Sequence, residues 1–383
     1  MMDDDLKGDD EVHFINDLTR RLFMILSTYG GEIMENIIIR QMQADEAKAV
    51  HKIGKKAFTG LESLWVAKPK QALVAVKDGK IAGAILYKFI KAGGRKIGYV
   101  DYAFVDRDYH NQGIGNVLYK GATEYLWEQG CDALTALVKD DNVGSWGLFE
   151  KNGFARTSFV NLAKQFGFLG ALKQYFTTPF CFAIGMDYYV ATKNQENVVS
   201  TPNSIKQLLA FFLINALLFS VTSLRGLIDD ITILVVYLML LLLTTTTEFI
   251  GTRCSSERHW TFRLTSGGTL TCVFVNIGSL FPMIGNWYPE RYERTKAFRK
   301  AMGMTALVSW IALLILTAFL VFSRSQGMIA SAAKQVGIYL LIYRMIPIYP
   351  FESFGSKRVY DWNKGIYVVM ALATLVVIIC SSI

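Results

Sequence analysis

The sequence predicts two fold classes in one chain, a mixed α/β domain followed by an α-helical multi-pass membrane domain. Three observations lead to this prediction. Short apolar runs alternate with segments of helical periodicity up to about residue 195. An Asp-Gly pair at positions 78 and 79 separates two strand-like runs. Long apolar runs with few charges follow residue 204. A chain of 383 residues has room for both domains.

The first 35 residues differ from the rest in their charge. Residues 1–12 are acidic and predict a disordered tail. Ile15, Leu18, Leu22 and Leu26 then recur at the spacing of an amphipathic helix. We expect this helix to pack on the domain that follows, and a position on a membrane surface is the alternative.

Residues 36–195 alternate between predicted strands and helices. The strands are Asn36–Arg40, Gln71–Lys77, Lys80–Lys88, Gly98–Val105, Ala133–Val138 and Ala183–Thr192, and the helices are Ala44–Phe58, Asn116–Gln129 and Val143–Lys151. An apolar stripe of Phe166, Leu169, Leu172 and Phe176 is expected to pack in the core. A lid over an acceptor site, or a membrane contact, is the alternative for this stripe. Residues 196–204 are polar and predict a linker.

A turn with closely spaced glycines lies between the strand Gly98–Val105 and the helix that starts at Asn116. The N-terminus of a helix has free N–H groups and the positive end of the helix dipole, which favour an anionic phosphate. Side chains at Gly113 and Gly115 would block close approach of a ligand to the backbone. The turn therefore predicts a site for a phosphorylated cofactor.

Two motifs in this region resemble a known family. The turn reads His110-x-x-Gly113-x-Gly115, and a later segment reads Asn142-x-x-Ser145-x-x-Leu148-Phe149-Glu150-Lys151-x-Gly153-Phe154. They resemble the two signatures of the GNAT superfamily of acetyl-CoA-dependent N-acetyltransferases, Gln/Arg-x-x-Gly-x-Gly/Ala and Asn-x-x-Ala-x-x-Leu-Tyr-Glu-Lys-x-Gly-Phe. The resemblance covers roughly residues 36–195. It implies a mixed sheet with flanking helices and acetyl-CoA as the co-substrate.

The resemblance also implies how acetyl-CoA is held. Backbone groups near Phe104 and Val105 would hold the pantetheine arm, and backbone N–H groups from Gln112 to Asn116 would hold the pyrophosphate. The implied cofactor-binding residues are Phe104, Val105, His110, Asn111, Gln112, Gly113, Ile114, Gly115, Asn116 and Asn142. Asn142 would hold the cofactor arm or cap its own helix. His110 stands where the family has Gln or Arg, and neutral imidazole donates only one hydrogen bond. A surface histidine without a special role is the alternative.

Asp101 is the predicted catalytic residue. It lies on the strand that faces the expected acceptor cleft, where relatives often place an acidic residue, and it would take a proton from the acceptor ammonium directly or through water. The alternative is that Asp101 is only a hydrogen-bonded polar residue at the point where two strands diverge. Phe149 stands where the family's tyrosine protonates the departing thiolate, so the resemblance implies slower transfer.

The distribution of charge and the spacing of the cysteines argue against a nucleic-acid-binding protein, a disulfide-rich protein and a structural zinc protein. The net charge is +8, but Lys and Arg cluster between apolar runs, as the positive-inside rule describes. We therefore expect a lipid bilayer as a partner and no nucleic acid. The five cysteines show no Cys-x-x-Cys spacing, so we expect neither a disulfide framework nor structural zinc.

Residues 205–383 are predicted to form a membrane domain with about five spans. The spans are Ile205–Leu224, Ile231–Phe249, Met302–Phe322, Met328–Ile346 and Ile366–Ile383. Gly268–Ile284 contains Gly278 and Pro282 and predicts a re-entrant hairpin. The basic segments on both sides of this hairpin, residues 253–263 and 287–300, would then both be cytoplasmic. The domain of residues 36–195 would lie on the same side, because acetyl-CoA is cytosolic.

The order of these segments resembles the compact archaeal type of the site-2 intramembrane zinc proteases. One span ends in Thr247-Glu248-Phe-Ile-Gly251, where that family has His-Glu-x-x-His. Thr247 and Gly251 occupy the ligand positions, and the family's later Asp ligand would fall near Glu352 or Phe354. We therefore expect no metal and a degenerate, pseudoprotease-like domain. A generic helical membrane anchor is the alternative.

Together these patterns predict a membrane-anchored N-acetyltransferase whose acceptor is a primary amine. A protein N-terminus, a lysine and a small amine are all compatible with that chemistry. The alternative is a non-catalytic acetyl-CoA-binding sensor, or a scaffold subunit that binds other membrane proteins. An active intramembrane protease is disfavoured.

Overall fold

The computed structural model describes residues 37–58, 62–140, 142–193, 203–223, 231–255, 259–265, 267–290 and 295–382. The predicted acidic tail, the predicted N-terminal helix and residues 194–202 lie outside these residues. The described chain divides into two units. The first unit contains the described residues up to Ala136, Leu148–Ala155 and the described residues of Val190–Asn197. The second unit contains the described residues of Leu137–Gly147, then Arg156–Tyr189 and the described residues from 203 onward.

A seven-stranded sheet forms the α/β part of the chain and has the strand order β1-β2-β3-β4-β5-β7-β6. The strands are β1 Ile37–Gln41, β2 Ala72–Lys77, β3 Lys80–Ala92, β4 Arg95–Val105, β5 Ala133–Lys139, β6 Ala155–Thr157 and β7 Met186–Thr192. The helices are α1 Ala47–Ala57, α2 Glu62–Trp65, α3 Ile114–Glu128, α4 Val143–Lys151, α5 Phe159–Phe166 and α6 Phe168–Thr177. The first four strands are antiparallel, and β4 and β5 run parallel. The predicted mixed sheet with flanking helices is confirmed.

The first hairpin forms where its turn residues predict it. Asp78 has φ 50° and Gly79 has φ 73°, so both turn residues have the positive φ of a type I′ turn, and Lys77 pairs with Lys80. One face of these strands packs on α1 through a buried cluster of Val50, Val74, Ala84, Leu86, Ala72 and Phe104. This packing fixes the strands that lead into the glycine turn.

Several predicted bounds, and the predicted burial of the apolar stripe, were wrong. Strand β4 begins at Arg95 instead of Gly98, and β7 begins at Met186 instead of Ala183. Strand β3 continues past Lys88 to Ala92, because the next turn is made by Gly93 and Gly94, both with positive φ. The apolar stripe forms two helices, α5 and α6, which are separated at Gly167 with φ 74°. Phe166 is buried as expected, but Leu169 is 77% exposed and Phe176 is 57% exposed. The break at Gly167 places these two side chains outside the core.

The helices after residue 203 carry the apolar segments. They are α7 Ser204–Ser223, α8 Ile231–Arg253, α9 Thr269–Asn276, α10 Lys296–Phe322, α11 Met328–Met345, α12 Ser356–Trp362 and α13 Lys364–Ser381. Four of those described, α7, α8, α10 and α13, are long and apolar enough to cross a membrane. The remaining predicted span corresponds to α11, which has 18 residues and contains Lys334 and Arg344.

The stretch predicted to be re-entrant, Gly268–Ile284, contains α9 and irregular backbone over residues 277–284, and strand β9 Gly285–Pro289 follows it. Strand β9 pairs antiparallel with β8 Trp260–Leu264. An eight-residue helix rises only about 12 Å, so α9 alone is too short to cross a bilayer core of about 30 Å. Asn276 hydrogen-bonds the backbone N–H and carbonyl of Phe281, at 3.1 and 2.7 Å, and Asn215 accepts from the Met283 N–H at 2.8 Å. These side chains satisfy the irregular backbone where it is buried.

Candidate active site

Asp101 lies at the point where strands β4 and β5 diverge. The two strands pair from Ile97 and Ala133 to Val100 and Ala136, and their pairing stops there although both strands continue. On the other side of β4, Val100 pairs with Tyr87 and Tyr102 pairs with Leu86, which leaves Asp101 as the extra residue of a β-bulge. The bulge explains why a carboxylate is tolerated in the middle of a strand.

The Asp101 carboxyl is mostly buried and forms a long ion pair with Lys88. Its side chain is 22% exposed, and its Oδ2 lies 3.8 Å from the Lys88 Nζ. Burial raises the pKa of Asp101, and the positive charge of Lys88 opposes that rise. A carboxylate with a raised pKa accepts a proton more readily near neutral pH, as a general base must.

The end of β4 presents backbone groups from alternate residues. The Asp106 N–H donates to the Ala82 carbonyl at 2.8 Å, and Phe104 pairs with Ala84. In antiparallel pairing this pattern directs the backbone groups of Phe104 toward β3 and those of Val105 away from it. A Cβ on Gly83 of β3 would lie 2.7 Å from the Phe104 carbonyl oxygen, which agrees with that direction. The backbone groups of Phe104 are therefore directed to β3, whereas the N–H of Val105 is directed away from it and the carbonyl of Val105 lies 3.0 Å from the His110 Nε2.

The glycine turn ends in an open helix N-terminus. Asn111 and Gly113 have φ 62° and 74°, and helix α3 begins at Ile114. The backbone N–H groups of Ile114 and Gly115 have no acceptor among the described residues. The Asn116 N–H, by contrast, donates to the Gly113 carbonyl at 3.0 Å, so the predicted phosphate contact does not fit Asn116. A phosphate in this turn would find the amides of Ile114 and Gly115 unoccupied.

Protein packing does not require a glycine at position 115. A Cβ placed there would lie 3.7 Å from Leu148 Cδ1 and 4.0 Å from Val105 Cγ2, which are ordinary contacts. A methyl group at this position would therefore displace no protein atom.

The side chains of His110 and Gln112 form hydrogen bonds that hold the glycine turn in place. The His110 Nε2 lies 3.0 Å from the Val105 carbonyl oxygen, and because a carbonyl only accepts, Nε2 carries the hydrogen. The Gln112 side chain accepts from the Lys77 Nζ at 2.6 Å and donates to the Asp108 carbonyl at 3.3 Å. Lys77 is a candidate for phosphate contact that the motif did not reveal, since it comes from the end of β2. Its position directly before the Asp-Gly turn was the available signal.

Asn142 belongs to the second unit and caps helix α4. Its Oδ1 accepts from the Ser145 N–H at 3.2 Å. The capping role predicted as one of two alternatives is therefore present, and the contact with the cofactor arm remains a prediction.

Phe149 packs in an aromatic cluster of the first unit. Its ring centroid lies 4.9 Å from those of both Tyr119 and Phe154, in edge-to-face contacts, and its side chain is buried. The position that holds a phenolic hydroxyl in the GNAT signature is thus apolar in this chain.

The positions compared with zinc ligands have packing roles instead. The Thr247 hydroxyl donates to the Leu243 carbonyl at 2.7 Å, and a Cβ at Gly251 would lie 2.9 Å from the Thr305 Cα on α10. Glu248 pairs with Arg358 at 3.2 Å, and Glu352 pairs with Lys139. Within the described ranges, no cluster of three His, Cys, Asp or Glu residues suits a metal ion. Both carboxylates at these positions are therefore engaged with basic partners.

The α/β region matches a known class of proteins. Residues 36–154 match the family model described as "Acetyltransferase (GNAT) family". The match covers the first five strands of the seven-stranded sheet and extends through the helix Val143–Lys151, and it agrees with the two motifs of this region.

The relatives are similar over part of their length. A protein named "Acetyltransferase" from Yersinia pestis is 30% identical over 97 residues, which are 25% of this chain and 66% of the relative. An acetyltransferase from Pectobacterium atrosepticum is 29% identical over the same shares. The ribosomal-protein-S18-alanine N-acetyltransferase from Escherichia coli is a similar solved structure, at 16% identity and a TM-score of 0.30. The match covers 42% of this chain and 98% of that one. The chain thus spans slightly less than two thirds of the two sequence relatives.

Proposed function

We propose that this chain is a membrane-anchored N-acetyltransferase that moves an acetyl group from acetyl-CoA to a primary amine at the cytoplasmic face. One observation carries the proposal: strand β4 leads from Asp101, at the divergence from β5, directly into the turn whose amides at Ile114 and Gly115 are open. A base and a phosphate site on one continuous segment suit an acyl donor such as acetyl-CoA, whose pyrophosphate is joined to the reacting thioester by a long pantetheine arm.

In the proposed reaction, the neutral amine attacks the thioester carbonyl carbon of acetyl-CoA. The new C–N bond forms, the C–S bond breaks, coenzyme A leaves as a thiolate, and the newly acylated nitrogen releases its second proton to water. Asp101 takes a proton from the acceptor ammonium, directly or through one water, which frees the lone pair for attack. The amides of Ile114 and Gly115, with Lys77 beside them, support the proposed pyrophosphate position. Because Phe149 cannot protonate the thiolate, we expect turnover to be slow.

The membrane anchor is proposed from the apolar helices and the charges between them. Four described helices have the length and composition of spans. The basic residues Arg253, Arg263 and Lys300 lie in the two segments that the re-entrant interpretation places on one side. An anchor raises the effective concentration of any acceptor held at the same membrane. A protein N-terminus, a lysine side chain and a small amine remain the proposed acceptor classes.

A second candidate is a non-catalytic acetyl-CoA-binding sensor or scaffold subunit. The buried Phe149, in place of an ionisable tyrosine, is the observation that favours it. The ion pairs of Glu248 and Glu352 support a structural role for the membrane half under either proposal.

Purified full-length protein, incubated with acetyl-CoA and a panel of amines, tests the proposal. We expect release of free thiol that depends on both the amine and the protein. Tight acetyl-CoA binding without amine-dependent thiol release would favour the sensor, and the absence of binding would contradict both candidates.

A further inference from the structure

Helix α6, Phe168–Thr177, has the reverse of the polarity expected for a helix that faces water. Leu169 and Phe176, seven residues apart on one face of the helix, are both exposed. The buried residues of the same helix are small or polar, namely Gly170, Ala171 and Gln174. A surface helix of a soluble protein buries its large apolar residues and exposes its polar ones. The outer face of α6 therefore indicates an apolar environment.

The polar residue on the inner face of α6 is held in place. The Tyr188 hydroxyl on β7 donates to the Gln174 Oε1 at 3.2 Å, and the Thr178 hydroxyl donates to the Gln174 carbonyl at 2.7 Å. Gln174 is fully buried, so these bonds satisfy an amide that would otherwise destabilise the core. They fix the rotation of α6 about its axis, and the outward direction of Leu169 and Phe176 follows from it.

The exposed apolar residues extend beyond the outer face of α6. Val160 on α5, Phe168 at the start of α6 and Phe182 after it are each more than half exposed. Apolar residues that are clustered on a protein surface mark contacts with a protein partner or a membrane. This stretch of the chain therefore has a surface that water alone does not suit.

The charge of this stretch favours a membrane as the partner. Residues 157–186 contain no Asp or Glu, and Lys164 and Lys173 are both exposed. Lys173 lies four residues after Leu169 and three before Phe176, so it shares their face of the helix. Basic and large apolar residues together are typical of helices in the interface of a bilayer, where the ammonium groups reach the phosphates.

The chain after α6 is joined to the stretch predicted to be re-entrant. The Gly268 N–H donates to the Phe180 carbonyl at 2.8 Å, and the Thr271 hydroxyl on α9 donates to the Phe182 carbonyl at 3.2 Å. All four residues belong to the second unit, which also contains the four candidate spans among the described helices. The end of α6 thus lies beside the start of α9, which the re-entrant interpretation places at the cytoplasmic surface of the membrane.

We propose that α6 lies in the interface of the bilayer that the candidate spans cross, with Leu169 and Phe176 among the lipid chains and Lys173 at the phosphate groups. The helix adds a membrane contact outside the spans. This inference rests on the proposed membrane anchor.

Nitroxide labels on the full chain in phosphatidylcholine–phosphatidylglycerol nanodiscs test this position. The labels are attached to Leu169→Cys and Phe176→Cys, in a background in which the exposed Cys254 and the partly exposed Cys380 are replaced by serine. The accessibility of each label to oxygen, which concentrates in lipid, and to a water-soluble nickel complex is measured. We expect an oxygen-to-nickel ratio several-fold above that of a label in water.

Two further labels supply the reference values. Leu213→Cys labels an exposed residue of α7, a candidate span, and gives the value for lipid. Asp45→Cys labels an exposed residue of the first unit and gives the value for water. The ratios at Leu169 and Phe176 should lie closer to the value for Leu213 than to that for Asp45.

Thermal unfolding in nanodiscs gives a second measurement that needs no label. We expect Leu169→Gln with Phe176→Gln to lower the melting temperature by about 2–4 °C, because two large side chains lose their apolar surroundings. Leu64→Gln replaces an exposed leucine of the first unit and should leave the melting temperature unchanged. A double variant as stable as wild type would contradict the lipid contact.

The outcomes separate this inference from the proposed membrane anchor. If Leu213→Cys favours oxygen and the α6 labels favour nickel, α6 lies in water and only its interfacial position is overturned. Labels on α6 that are shielded from both reagents would show that protein covers this face, and would overturn the lipid contact in the same way. A Leu213→Cys label that favours nickel would contradict the membrane anchor, and the position of α6 with it.

Discussion

The imidazole of His110 and the backbone of Val105 are joined by a hydrogen bond of 3.0 Å, which ties the glycine turn to the strand that leads into it. His110 is exposed, so its ring braces the turn without being part of the core. In the GNAT signature a glutamine or arginine stands at this position, and either has an N–H that can make a similar bond.

Replacement of His110 tests this brace. We expect His110→Ala to raise the KM for acetyl-CoA about threefold, because one exposed hydrogen bond that orders the turn is lost. His110→Gln should keep the wild-type KM. Steady-state kinetics with acetyl-CoA as the varied substrate measure both, and equal KM values for the alanine variant and wild type would show that the bond has no role in binding.

Asp101 and Lys88 set the pH dependence of transfer. As a base, Asp101 acts only when deprotonated, and burial raises the pKa of Asp101, so kcat/KM should fall as the pH drops through that raised value. Lys88→Met removes the charge that opposes the rise, so the acidic limb of the profile should move to higher pH. Asp101→Asn should lower kcat about 100-fold and remove this limb.

Two variants serve as controls for these changes. Lys91→Met alters an exposed lysine of the same strand, and Asp45→Asn alters an exposed carboxylate. Both should leave the pH profile as it is in wild type. An unshifted limb in Lys88→Met, or full activity in Asp101→Asn, would show that another group accepts the proton.

Gly115 and Gly121 lie on the same helix and should respond differently to alanine. At Gly115 the added Cβ meets only ordinary contacts, so Gly115→Ala should keep or raise stability, by up to about 1 kcal/mol. The methyl group would intrude on the proposed phosphate site and weaken acetyl-CoA binding about tenfold. At Gly121 the Cβ would lie 3.1 Å from Ile39 Cγ2, and this tight contact opposes the gain in helix propensity, so Gly121→Ala should be about 1 kcal/mol less stable than Gly115→Ala and keep the wild-type affinity.

Thermal unfolding and acetyl-CoA titration of both variants check this pair. A Gly115→Ala protein that binds acetyl-CoA as tightly as wild type would place the pyrophosphate away from this helix end.

The Phe149→Tyr substitution restores the residue of the GNAT signature. We expect kcat to rise at least about threefold, because a phenol can protonate the departing thiolate and a phenyl ring cannot. The KM for acetyl-CoA should stay constant, since the change acts on the leaving group. Rapid-quench kinetics separate this step from product release, and an unchanged rate of the chemical step would mean that thiolate protonation does not limit turnover.

Local patterns predicted much of this structure. The Asp78-Gly79 hairpin, the strand–turn–helix around Gly113 and the helix Val143–Lys151 form as expected. Each depends on residues that are close in sequence, such as turn residues with positive φ and a helix cap. The catalytic role of Asp101 stays a prediction, which rests on its place on the strand before the turn and on the family resemblance.

Contacts between distant segments could not be predicted. Strands β8 and β9 pair across the intervening α9, and no local pattern indicates that partner. Lys77 reaches the glycine turn from another hairpin, and Ser353 reaches Asp140 from more than 200 residues away in sequence. The pairing of the Phe104 backbone with β3 and the hydrogen bond from the Asn116 N–H to the Gly113 carbonyl likewise became visible only in the structure.

Acetyl transfer in sealed membrane vesicles tests the central claim most directly. Acetyl-CoA labelled in its acetyl group does not cross bilayers, so it reports which face carries the site. We predict labelled amine product with vesicles that expose the cytoplasmic face, and none with vesicles of the opposite orientation until they are permeabilised. Asp101→Asn vesicles should give about 100-fold less product. Equal labelling by both orientations, or no labelled amine from either after permeabilisation, would contradict a membrane-anchored N-acetyltransferase acting at the cytoplasmic face.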